Sequence, residues 1–120
     1  MVKLNWREVK PGIAHEVGID YQLLRGQALA NPAIPTACMQ GMMYVAFAML
    51  QPGQAYHGHT HDDHEEVYYI IAGRGEMLID DEVKPIRDGD IIYIGKNQLH
   101  SIRNTDENDF IHLLAFASQC

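Results

Sequence analysis

The sequence predicts an all-β fold, a sandwich or barrel of short strands, and three observations carry that expectation. From Tyr21 onward, apolar, β-branched and aromatic runs alternate with Pro, Gly, Asp and Asn breakers, the spacing of an all-β sandwich or barrel. The 120 residues hold no heptad repeat, low-complexity tract or linker, so a single domain spanning 1–120 with one core is expected. The composition, 47 % hydrophobic and 21 % charged, is that of an ordinary folded domain and not of a disordered chain.

Residues 1–20 read as an N-terminal arm. Strands are then expected over 21–29, 42–50, 66–72, 75–80, 82–86, 90–94, 100–103 and 110–117. Residues 31–40, with Pro32 and Pro35, read as a loop. The run 42–50 would suit a helix on its methionines and alanines, but it is short and bracketed by Gly41 and Pro52-Gly53, so strand is the better reading. Gln51-Pro52-Gly53-Gln54 is a Pro-Gly turn, Gly73-Arg74-Gly75 and Asp80-Asp81-Glu82 read as tight hairpin links, and Arg87-Asp88-Gly89-Asp90 is an Asp-Gly turn. Strands 67–71 and 91–94 lack polar alternation, so both faces of each should be covered.

Nine Lys and Arg against 16 Asp and Glu leave a net charge of −7. Nucleic acid and anionic membrane surfaces are therefore poor partners, since both require a basic face. No stretch has the length of a signal peptide's apolar region or of a membrane span. Cys38 and Cys120 are too few and too far apart for a disulfide framework. A soluble, cytoplasmic protein is expected.

Four of the seven histidines fall between positions 57 and 64. His59 and His61 have the period-two spacing that puts both imidazoles on one face of an extended segment. After a four-residue turn, Glu66 opens the next strand and returns a carboxylate to the same face, adding a hard oxygen to two borderline nitrogens. His100, in a later strand, is the obvious fourth donor. Three His and one Glu would hold a single metal ion.

These residues resemble a known family. Gly53-x5-His59-x-His61-x4-Glu66-x6-Gly73 is similar to the first motif of the cupin superfamily, and Gly89-x5-Gly95-x-Asn97-x2-His100-x3-Asn104 to the second. The two motifs span 53–104, joined by a 15-residue link. The proline and second glycine usual in the second motif are here Gly95 and Asn97, which are themselves turn formers. The resemblance implies a double-stranded β-helix, or jelly-roll barrel, with one divalent transition metal per chain (iron, manganese, nickel, copper or zinc) on His59, His61, Glu66 and His100.

Parity suggests the cavity wall. Tyr68 and Ile70 share the face of Glu66, and Gln98, Ile102 and Asn104 share that of His100; Tyr44, Phe47 and Met49 are candidates from the preceding strand, whose inward parity the sequence leaves open. Tyr68 and His57 are the candidates for proton transfer. His64 and Glu65 sit in the polar turn, and His15 and His112 read as structural. Because cupins include dioxygenases, isomerases, lyases and binding modules, the resemblance does not name a reaction. The expectation is a metal-dependent enzyme on a small organic molecule, either a dioxygenase or a lyase or isomerase on an oxygen-rich acid or sugar derivative. The alternative is a non-catalytic metal or carbohydrate-binding module. Neither cysteine lies in the motifs, so no covalent nucleophile is expected. The apolar outward positions Val67, Tyr69, Ile71 and part of 91–94 point to a homodimer, unless the arm, with Trp6 and Ile13, folds over that face.

Overall fold

The computed structural model describes residues 1–27 and 33–118. Among them a single turn of 3-10 helix, Trp6–Glu8, precedes nine strands: β1 Gly12–Ala14, β2 Gly18–Arg25, β3 Met42–Leu50, β4 Glu66–Ala72, β5 Arg74–Ile79, β6 Glu82–Arg87, β7 Ile91–Ile94, β8 His100–Asn104 and β9 Ile111–Ser118. Strands β3 and β4 have the expected bounds, β6 to β8 differ from expectation by one residue at one end, and β5 and β9 by one residue at both ends. The expected strand 21–29 begins earlier, at Gly18, and ends at Arg25; residues 28 and 29, and the first two residues of the expected 31–40 loop, lie outside the described residues. The three-residue β1 was not expected, because so short a run carries no period of its own.

Six strands form one sheet in the order β1-β2-β3-β9-β4-β7, and three form a second, β6-β5-β8. The chain is nearly all β, and the two sheets face each other as a jelly roll. The core between them is Leu50, Ile70, Ile94, Ile102, Ile111 and Leu113, all essentially inaccessible. Strand β9 shows how the pattern specifies the face: Ile111, Leu113, Ala115 and Ala117 are buried, and the residues between them are half-buried, the period of two that an extended chain imposes.

Gly73 is not a hairpin link. β4 pairs with β7 and β9 while β5 pairs with β6 and β8, so Gly73 is the corner at which the chain leaves one sheet for the other. Its φ of 105° and the 2.7 Å that would separate a Cβ from the Phe110 carbonyl oxygen admit only glycine. Asn97, standing where the related motif has glycine, has φ 62°, a left-handed conformation that asparagine tolerates better than most residues.

The N-terminal arm settles on its own barrel, but on a different face from the one expected. The Trp6 ring lies 4.6 Å from Phe47 and 5.2 Å from Tyr21, covering the outer side of β2 and β3. Ile13 is left 69 % exposed. The outer side of β4 and β7 stays open: Tyr69, Ile71, Ile91 and Tyr93 are all exposed, so the expectation that both faces are covered is not met within one chain.

Candidate metal centre and its cavity

Segment 53–65, between β3 and β4, is extended but forms no regular strand. It is held to β8 by single bridges, and the His59 and His100 backbones exchange hydrogen bonds of 3.1 and 3.0 Å. That exchange brings their rings to 4.1 Å. His61 follows on the same segment, its carbonyl fixed by the Asn97 amide at 2.7 Å. Glu66 opens β4 with its side chain buried. One ligand-type atom from each of His59, His61, Glu66 and His100 lies within 4.8 Å of all the others.

The hydrogen bonds fix which nitrogens face inward. His59 Nδ1 lies 2.9 Å from the His57 carbonyl and His100 Nδ1 3.0 Å from that of Gln98. A carbonyl only accepts, so each Nδ1 carries the proton and each Nε2 keeps its lone pair, the orientation a metal-ligating imidazole needs. The Nε2 atoms of His59 and His100 and Oε1 of Glu66 are buried without a hydrogen bond. His61 Nε2 stands 2.9 Å from the same Oε1, and the Tyr44 hydroxyl donates to Glu66 Oε2. Buried orphan acceptors are costly, and a cation among them would satisfy all of them at once. Burial pushes the Glu66 carboxyl up, but the neighbouring His100 imidazole, the Tyr44 hydroxyl and His61 outweigh it and hold the group below its ordinary value. Burial lowers His61, against the pull of Glu66.

Two histidines that the sequence reading placed outside the site border it. His64 is buried, its ring 4.3 Å from that of His61, its Nδ1 2.6 Å from Asp63 Oδ1, and its unpaired Nε2 4.0 Å from Glu66 Oε1. His15, at φ 52° in the tight turn between β1 and β2, stacks on His59 at 4.3 Å and on Tyr56 at 4.5 Å. Neither has a sequence signal: His64 is carried inward by the path of the 62–65 turn, and His15 arrives on the turn that follows the unexpected β1.

A cavity of about 180 Å³ opens onto Glu66 between the sheets. Tyr68 lines it as parity suggested, Tyr44 joins from β3, and Asp20, Gln22 and Tyr56, which sequence reasoning missed, complete the wall. Asp20 pairs with Ala48 and Gln22 with Ala46 across β2 and β3, so these side chains share the inward face. Burial drives the Tyr68 and Tyr56 hydroxyls above their ordinary value, and for Tyr44 burial is joined by Glu66, so all three remain donors.

Several expected cavity residues lie elsewhere. Phe47 is on the opposite face of β3, under Trp6, because Tyr44, Ala46 and Ala48 take the inward positions. Ile70 and Ile102 belong to the sealed core. Gln98 accepts from the Gly95 amide at 2.7 Å and so closes its turn. Asn104 is wholly buried, donating to the Leu50 and Asp109 carbonyls and accepting from the Asp106 amide. His57 points to solvent, paired at 2.9 Å with Glu16, away from the proton-transfer role considered for it.

The cupin domain model matches residues 46–116, and the chain belongs to the cupin domain family. It is 33 % identical over 104 residues to an uncharacterised protein of Methanocaldococcus jannaschii, covering 87 % of this chain and 76 % of that one. A stretch of 60 residues is 35 % identical to the oxalate-binding protein of Thermotoga maritima, half the length of each. Among solved structures, a predicted oxalate decarboxylase from Thermotoga maritima superposes with a TM-score of 0.81 at 24 % identity, over 99 % of this chain and all of that one, a likeness of fold. No described helix is long and apolar enough to cross a membrane.

Proposed function

We propose that His59, His61, Glu66 and His100 hold one divalent transition metal ion and that the chain is a metal-dependent enzyme acting on a small organic molecule. The observation that carries this reading is the convergence of four ligand atoms within 4.8 Å, with inward-turned Nε2 lone pairs, at the wall of a cavity. Three nitrogens and one carboxylate suit iron, manganese, nickel, copper or zinc. When bound, such an ion supplies Lewis acidity that polarises a ligand oxygen. The chain's own residues do the rest: Tyr44 orients Glu66, the phenols of Tyr56 and Tyr68 donate to oxygens in the cavity, and Asp63 holds His64 Nδ1–H so that His64 Nε2 is free to accept a proton. Tyr68, with its hydroxyl raised by burial, serves as a donor and not as the base.

A cavity walled by hydroxyls favours proton-transfer chemistry of the lyase or isomerase kind on an oxygen-rich substrate over dioxygenase chemistry. A non-catalytic binding module is the second reading, favoured by the solvent-facing His57 and the raised Tyr68, which leave neither acid-base candidate named by the sequence to act as a base. Elemental analysis of untagged protein tests the site: one ion per chain is expected, with the His59→Ala and His100→Ala variants largely depleted and His112→Ala, which packs on Phe47 outside the cavity, fully loaded. Full metal in a His59→Ala, His100→Ala double variant would sink the assignment. Screening oxygen-rich acids and sugar derivatives with and without an oxygen electrode separates the readings. Turnover without oxygen uptake supports the lyase or isomerase, uptake the dioxygenase, and binding without turnover the module.

A further inference from the structure

We infer that the cavity selects its ligand by charge: it takes a small neutral chelator bearing hydroxyl or carbonyl oxygens and turns dicarboxylates away, with Asp20 as the deciding residue. This rests on the metal reading above and names the substrate class for the same site.

Asp20 and Gln22 enter the cavity from β2 on the face shared with Ala48 and Ala46. Gln22 Nε2 donates to Asp20 Oδ2 at 2.6 Å, which orients the carboxylate without neutralising it. All nine Lys and Arg are exposed, and none lines this cavity. Lys10 and Arg25 border an outer groove that meets the cavity at Asp20 and Gln22, so the nearest cations lie on the solvent side of that carboxylate. Inside, a divalent ion would be offset by Glu66 and Asp20, leaving no net charge. A dianion placed there leaves two negative charges that no side-chain cation of the cavity compensates, whereas a neutral ligand leaves none.

Neutral oxygens do find partners. The Tyr56 hydroxyl is buried and makes no hydrogen bond, and it stands against Gly18, where a Cβ would come within 2.5 Å of it. Glycine at 18 therefore makes the room for this buried, unsatisfied hydroxyl. Asp20 accepts from a ligand hydroxyl, which oxalate does not offer at neutral pH. The volume, about 180 Å³, is small beside ordinary ligand pockets and limits the ligand to a few heavy atoms.

The test uses cobalt(II)-loaded protein, its metal content fixed by elemental analysis, titrated with oxalate and with dihydroxyacetone while the cobalt visible absorption is followed. The two probes have equal numbers of non-hydrogen atoms and differ in charge. The preference for oxalate over dihydroxyacetone should be at least about tenfold weaker on the wild-type protein than on aqueous cobalt. Asp20→Asn should tighten oxalate about tenfold and leave dihydroxyacetone unchanged or weaker, while Asp20→Glu should keep the wild-type pattern. Oxalate affinity equal in wild type and Asp20→Asn, with cobalt bound in both, overturns charge selection and leaves the metal reading standing. Failure of any form to retain cobalt overturns the metal reading and this inference with it. Should Asp20→Asn fail to fold by circular dichroism, the wild-type comparison with aqueous cobalt still decides.

Discussion

Asn104→Ala separates a structural staple from a cavity residue. The sequence places Asn104 on the face of His100, but its Nδ2 donates to the Leu50 carbonyl at 3.0 Å and to the Asp109 carbonyl at 2.8 Å, and its Oδ1 accepts from the Asp106 amide at 2.9 Å. Asn104 and Leu50 are fully buried, so truncation leaves the Leu50 carbonyl without this partner in a dry core, a cost of about 2 kcal/mol. Asp109 and Asp106 lie in the more open 105–110 loop and rehydrate, each bond costing about 1 kcal/mol. The expected loss is about 3–4 kcal/mol, or roughly 10–20 °C in Tm for a chain of this length. Calorimetry and urea unfolding measure it. Metal content, read below the shifted transition, should be that of wild type. A variant with unchanged Tm and lost ligand or metal would refute the staple and restore Asn104 to the cavity.

Trp6→Ala removes the ring that covers Phe47 and Tyr21 and should cost about 2 kcal/mol in denaturant unfolding; no change would mean that the arm does not pack on β2 and β3. Sedimentation at micromolar concentration should show a homodimer closing over Tyr69, Ile71, Ile91 and Tyr93, and Ile91→Glu, at a position 71 % exposed, should yield a 13.6 kDa species; a wild-type monomer ends that idea. Asp106 is held below its ordinary value of 3.8 by the Asn108 and Asp109 amides and by Arg74. A lowered carboxyl contributes stability that is fully present above pH 3.8 and is lost as pH falls through the native value. Asp106→Asn should therefore flatten the acid limb of the stability curve in that range, and an unchanged limb would remove Asp106 from this role.

What the sequence by itself determined is what local chemistry controls. The β3 and β4 bounds follow from a Pro-Gly turn and from the onset of an apolar run, signals that act over a few residues. The His59-x-His61-x4-Glu66 spacing was legible for the same reason: an extended chain alternates faces, so three side chains return together on one segment. His100 was named by its place in the second motif, yet its approach to His59 is a long-range backbone pairing. Other decisions belong to the tertiary structure. In β3, nine residues with no charge among them leave both faces eligible for the core; only the arrival of Trp6 on Phe47, and the pairing of Asp20 with Ala48, determine which side is the cavity. His64 reads from the sequence as a residue of a polar turn, and Gln98 and Asn104 as cavity residues on the face of His100. His64 and Gln98 are instead engaged by the folded turns themselves, with Asp63 and His61 and with the Gly95 amide, and Asn104 by the Leu50 carbonyl, 54 residues away. The ligand-selecting groups are likewise set by the tertiary structure: Asp20 and Tyr56 lie 36 residues apart in sequence, Asp20 on β2 and Tyr56 on the segment held to β8, and they line one cavity because the two sheets face each other, which no local pattern encodes.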